Sequence, residues 1–142
     1  MIKDKNIINK AKDITAISDK TYKEMEYNLK TLEILMNKEF FKRTDLNTLI
    51  NDNIELIKDN HTNHLRFMLN IMKNYDPEVF INVVSWVFDT YTKRDISTDY
   101  WYAQLTTFLK IYKENLSDSS YNEISPFYDF LLKNYRNMIK DQ

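Results

Sequence analysis

Apolar residues recur along almost the whole chain at intervals of three and four, the spacing that gathers them on one face of an α-helix. Residues 3–17 carry Ile7, Ile8, Ala11, Ile14 and Ile17 on a thin face, which predicts a loosely docked helix or an arm. Ser18 and Asp19 are N-cap residues for a second helix to about residue 37, with Tyr22, Met25, Leu29, Leu32 and Met36 as its stripe. The pattern breaks over residues 37–43, and Phe40 and Phe41 are expected to plug the core from that link. Thr44 or Asp45 starts a third helix bearing Leu46, Leu49, Ile50, Ile54 and Ile57. Asp59, Asn60 and Thr62 predict a break before a fourth, lined by Leu65, Met68, Met72 and Tyr75.

Asp76-Pro77-Glu78 is the sharpest punctuation in the chain. Asp is a favoured N-cap, Pro suits the first helical position and Glu the positive helix end. A helix is expected over residues 77–92. Ser97 caps the next, bearing Trp101, Leu105, Phe108, Leu109, Tyr112 and Leu116. Ser120 with Glu123 reads as a capping box for a short helical turn. Ser125-Pro126 then starts a last helix to about residue 139, with Phe127, Phe130, Leu131, Tyr135 and Met138 on its core face.

The helix over residues 77–92 stands apart. Its polar positions, Glu78, Asn82, Ser85, Asp89 and Thr92, fall on one narrow stripe, and nearly everything else is apolar. Such a helix must be covered around most of its circumference. Either it is the central helix of the domain, or one flank packs internally and the other meets a partner or ligand.

Composition sharpens this picture. The chain has 142 residues, no Gly and no Cys. Without Gly there is no phosphate-cradling loop, no dinucleotide fingerprint and no nucleophile elbow, and tight Asn-Gly hairpins are unavailable. Turns must be made by Asn, Asp or Ser. Without Cys there is no disulfide, thiolate metal site or Cys nucleophile. A net charge of -1 gives no electrostatic footing for nucleic acid or an anionic membrane, so neither is an expected partner. No apolar run is long enough to span a bilayer, and residues 1–6 lack a secretory signal pattern, so the expected location is cytoplasmic. The expected fold is all-α: one domain over residues 1–142, an irregular helical bundle or globin-like stack of about six or seven helices.

Candidate chemistry is sparse. His61 and His64, the only histidines, share one helical side beside Leu65 and Met68, with Glu55 and Asp59 close in sequence. There is no HExxH and no Glu-x-x-His motif, so packing at a helix N-terminus outweighs a metal site, and no metal or other cofactor is expected. Placed in that first turn, His64 should be neutral at pH 7, by the helix dipole and by burial. A single-histidine haem through His64 is the weaker option. Ser85 has no histidine near it in sequence and is expected to bond its own backbone or face solvent. Glu24, Glu26 and Glu33, interleaved with Lys20, Lys23 and Lys30, read as a solvated face. Trp101 belongs to the core stripe, and Tyr100 and Tyr102 should flank it with their hydroxyls at the surface.

The run His64-Leu65-Arg66-Phe67-Met68-Leu69, then Asp76-Pro77-Glu78-Val79-Phe80, Val84-Ser85-Trp86 and Arg94-Asp95-Ile96, resembles a poorly characterised all-helical module of bacterial regulatory chains, some of which also carry cobalamin-binding or signalling domains. The cobalamin-binding domain itself, with its Gly-rich loops, has no counterpart in a glycine-free chain. The resemblance implies a stand-alone helical sensory or interaction module. The expected function is therefore non-enzymatic: a regulatory or protein-interaction module whose partner is another protein or a second copy of itself. The alternative is a sensor or carrier holding an apolar or tetrapyrrole ligand near His64 and Trp86, with Met68 and Trp101 as further contacts.

Overall fold

Among the described residues seven α-helices follow one another: α1 (Ile2–Lys10), α2 (Asp19–Phe40), α3 (Leu46–Ile50), α4 (Ile54–Lys73), α5 (Pro77–Thr92), α6 (Asp99–Asn115) and α7 (Asp118–Met138). A 3-10 turn at Ala11–Asp13 follows α1. The computed structural model describes residues 2–139, with side chains from Lys5 onward. Residue 1 and residues 140–142 of the expected domain lie outside the described residues. The protein is an all-α bundle, and no described helix is long and apolar enough to cross a membrane.

The long helices α2, α4, α6 and α7 pack on one another, and α5 lies against α1 and α7. The first segment is not a free arm. Ile7, Ala11 and Ile17 are buried, the Ile17 N–H donates to the Met72 carbonyl at 3.0 Å, and the Tyr75 hydroxyl donates to the Ala11 carbonyl. A thin apolar face suffices here because hydrogen bonds to the Met72 carbonyl and from the Tyr75 hydroxyl, at and just past the end of α4, share the docking.

Asp76 does what its sequence predicts. Its Oδ1 accepts from the N–H groups of Glu78 at 2.9 Å and Val79 at 3.3 Å, with Pro77 in the first turn. Asp76→Ala is expected to cost about 1 kcal/mol, read as a lower urea midpoint with an unchanged slope. A midpoint no lower than that of Asp118→Asn, a conservative change at another helix start, would contradict the cap.

The chain turns without glycine by using short polar residues. Asn51 (φ 48°), Asp52 (φ 65°) and Asp95 (φ 65°) take the left-handed conformation, between α3 and α4 and between α5 and α6. The first pair corrects the expected break at residues 59–62. The interruption falls at Asn51-Asp52-Asn53, and α4 runs through Asn60, His61 and Thr62. Asn60 reads locally as a break residue but is fully buried, as is His61 beside it, each held by a bond from another helix. Phe40 likewise ends α2 rather than lying in a link. The Ser125-Pro126 boundary is also absent. Ser117 caps α7 by accepting from the Ser120 N–H, and Pro126 lies inside the helix, where it removes the hydrogen bond to the Asn122 carbonyl and its ring crowds that group.

Ser120 and Glu123 do not form a capping box. Glu123 reaches α2 and accepts from the Ser18 N–H at 2.7 Å and the Ser18 hydroxyl at 3.2 Å. Glu24 of α2 reaches the start of α7 and accepts from the Ser117 N–H, the Ser117 hydroxyl and the buried Ser120 hydroxyl at 2.6–2.7 Å. Each helix thus caps the other's N-terminus, so Glu24 is a clamp and not part of a solvated face. Burial raises the Glu24 carboxyl, but the Ser117 and Ser120 bonds outweigh it and hold the group below its usual range. The Ser18 N–H does the same for Glu123.

Candidate functional site: a buried polar chain and an open groove

The inward faces of α4, α6 and α7 carry polar groups that hydrogen-bond in series. Asn60 Oδ1 accepts from the Tyr100 hydroxyl at 2.5 Å and from Gln104 Nε2 at 3.2 Å. Gln104 Nε2 also lies 3.2 Å from His64 Nδ1. An amide nitrogen only donates, so Nδ1 is the acceptor and the imidazole proton sits on Nε2. His64 Nε2 then donates to the Tyr128 hydroxyl at 2.8 Å, which meets the Tyr112 hydroxyl at 2.5 Å. Phe108 stacks on His64 with ring centroids 4.5 Å apart. His61 lies in an aromatic box of Phe40, Phe41, Tyr100 and Phe108, and its Nδ1–H donates to Asn37 Oδ1 at 2.7 Å.

This interior is electrically neutral. Burial pushes both imidazoles down to about 3, with His61 adding a smaller effect on His64. Burial raises the Tyr100, Tyr112 and Tyr128 phenols. His64 is neutral as its sequence implies, but burial is the cause. It lies mid-helix, far from the helix end first invoked, because α4 starts earlier than predicted. Its Nδ1 lone pair is taken by Gln104 and its Nε2 carries the proton, so neither nitrogen is open to a haem iron or other metal.

The four candidate contacts His64, Met68, Trp86 and Trp101 do not converge. His64, Met68 and Trp101 lie inside the bundle, and Trp86 is 67% exposed on the outer face of α5. Trp101 is core, as expected. Tyr102 is exposed, but Tyr100 is buried with its hydroxyl on Asn60, because residues 100, 104 and 108 share the inward side of α6. Ser85 is buried too, with no partner for its Oγ. The narrow polar stripe of α5 is therefore only partly its solvent face: Glu78 and Asn82 are exposed together with Val79 and Trp86, while Ser85 is buried.

Beside Trp86 a groove of about 450 Å³ opens between α4 and α5. Val83, Trp86, Val87 and Tyr91 of α5, with Phe67 of α4, make its apolar wall. Asn60, Asn63, Arg66 and Asn70 make the other, all on α4. A larger groove holds Arg43, Asp45, Asp99 and Arg136, but its arginines are already engaged: Arg43 with Asp45 and Arg136 with Asp99, each at 2.8 Å. The α4–α5 groove is the better site for a ligand. Sequence reading found Trp86 but missed the groove and the polar chain. Gln104, set between Trp101 and Phe108 on the α6 core stripe, was the available signal.

Among the described residues no three His, Cys, Asp or Glu side chains gather in a way that could hold a metal ion. No family model, curated protein or solved structure matches this chain.

Proposed function

We propose that this chain is a non-enzymatic regulatory module that acts by binding, and that its recognition site is the α4–α5 groove. The observation that carries this reading is Trp86: a large indole, 67% exposed, at the edge of an apolar wall on a helix otherwise largely covered. Contiguous exposed apolar patches, here Trp86 with Val79 and the half-buried Val83, mark interaction surfaces, and a concave site with a few polar groups is the usual form of a ligand pocket. The imidazoles and buried phenols are neutral and bonded within the core, which favours a packing role for them over acid–base work. The partner implied by the sequence, another protein or a second copy, would meet this same face through Val79 and Trp86.

The test is a screen of a chemically diverse mixture of small molecules and short peptides against isotope-labelled protein, read by amide and side-chain NMR shifts. Shifts from binders should cluster on Asn63, Asn70, Val83, Trp86 and Tyr91 and vanish in Trp86→Ala. Shifts centred instead on Arg43, Asp99 and Arg136 would overturn the assignment.

A further inference from the structure

The solvent face of α5 is a single stripe. Glu78, Val79, Asn82, Trp86 and Lys93 are exposed on it, with Val83, Asp89 and Thr90 half-buried at its edges. At about 100° per residue, all of them lie within about 80° of Trp86. The centre of the stripe is apolar and its ends are opposite in charge. Glu78 stands in the first turn, where the helix end is positive, and Lys93 follows the last turn, where it is negative. Glu78, Asn82, Asp89 and Lys93 share one flank of Trp86, and Val79, Val83 and Thr90 share the other.

Resting on the reading that this face recognises a partner, we infer that the partner is a second copy of this chain, docked with the two α5 helices antiparallel about a two-fold axis level with Trp86. A two-fold contact must be complementary to itself, and this stripe is. Such an axis keeps each flank on its own side, so residues meet when they share a flank and lie equally far from the axis. Trp86 then packs on its own counterpart. Glu78 comes level with Lys93 of the second copy, and Asn82 with Asp89 of the second copy. Each pairing occurs twice. A parallel pair would set Glu78 against Glu78 and Asp89 against Asp89, so the charges select the antiparallel arrangement and fix its register. Asp89 and Lys93 also have contacts within their own chain, and exposed ion pairs exchange partners at little cost. The tryptophan pair at the centre is the anchor. One helix face is smaller than the interface of a stable dimer, so the association is weak and dilute protein is monomeric, with Trp86 in water.

The test is sedimentation equilibrium at low salt over a concentration series from about 10 μM to about 1 mM, where the mean mass should rise from monomer toward dimer. Trp86→Ala should weaken the association about tenfold. Glu78→Lys and Lys93→Glu should each weaken it about tenfold, because each turns two attractive pairs repulsive. An equimolar mixture of those two variants should recover the wild-type affinity to within about twofold, since both pairs in the mixed dimer attract again. All three substitutions fall on exposed side chains, and each variant should keep the wild-type circular dichroism. A mass that stays monomeric up to about 1 mM, an association indifferent to Trp86→Ala, or no recovery on mixing overturns the inference. If the protein stays monomeric while hits from the ligand screen still cluster on α4 and α5, only the second copy is lost and a different molecule takes this face. If those hits are also absent, the groove reading falls with it.

Discussion

Acidification from pH 7 to pH 5 should cost this domain about 4 kcal/mol of folding stability. His61 and His64 are held down to about 3 from an ordinary value of 6.5, because both are sealed among aromatic rings. Between those values the unfolded chain binds protons that the folded chain refuses. Stability is therefore full above pH 6.5 and falls steadily as the pH drops toward 3. Each histidine contributes about 1.4 kcal/mol per pH unit within that window. Glu24 and Glu123, also lowered in the fold, push in the same direction only nearer their own range, below about pH 4.5. The interval from pH 6 to 5 therefore isolates the histidines. Urea midpoints across a pH series measure the slope, and His64→Gln should roughly halve it while also lowering the plateau at pH 7. A profile flat from pH 7 to 5 would mean that water reaches the imidazoles.

The two tryptophans should behave as opposites. Trp101 is fully buried, its ring 4.5 Å from Phe88 and 4.8 Å from Tyr100 between centroids, with its Nε1–H on the Thr92 hydroxyl at 3.3 Å. Trp101→Ala removes that volume from a close-packed site and should cost about 3–5 kcal/mol, a drop in Tm of about 10 °C or more. Trp86→Ala removes a side chain that stands mostly in water and should change stability by less than about 0.5 kcal/mol. Thermal melts followed by circular dichroism separate the two, and emission should be blue-shifted when Trp86 is removed. Equal destabilisation by both substitutions would show Trp86 to be covered, as in a self-assembled interface.

Much of the helical layout was legible because its signals are local. The Asp76-Pro77-Glu78 start, the stripes of α2 and α6 and the need for Asn and Asp at left-handed turns all follow from contacts within a few residues. The errors share one cause: a residue whose local preference was overruled by a distant partner. Asn60 and Thr62 look like loop formers but sit mid-helix, Asn60 with its Oδ1 held by Tyr100 and Gln104. Ser120 and Glu123 look like one cap but serve opposite ends of a clamp between α2 and α7. Pro126 looks like a start but lies exposed within α7, a helix held in the core by the buried neighbours Phe127 and Tyr128.

The candidate site divides along the same line. From the sequence alone come the all-helical class, a glycine-free chain without phosphate loops or thiolate chemistry, and α5 as an unusually apolar helix carrying Trp86. Those follow from residue types and from spacing along one axis. Which flank of α5 faces outward was decided by tertiary packing. α1 and α7 cover the side that holds Phe80, Ile81, Val84 and even Ser85, and leave Val79 and Trp86 outside. Packing also decided that His64 belongs to the interior and Asn60 to the floor of a groove. Periodicity reports that a face is apolar, but only neighbouring helices determine which part of it they cover, and that geometry is not encoded in any short stretch of chain.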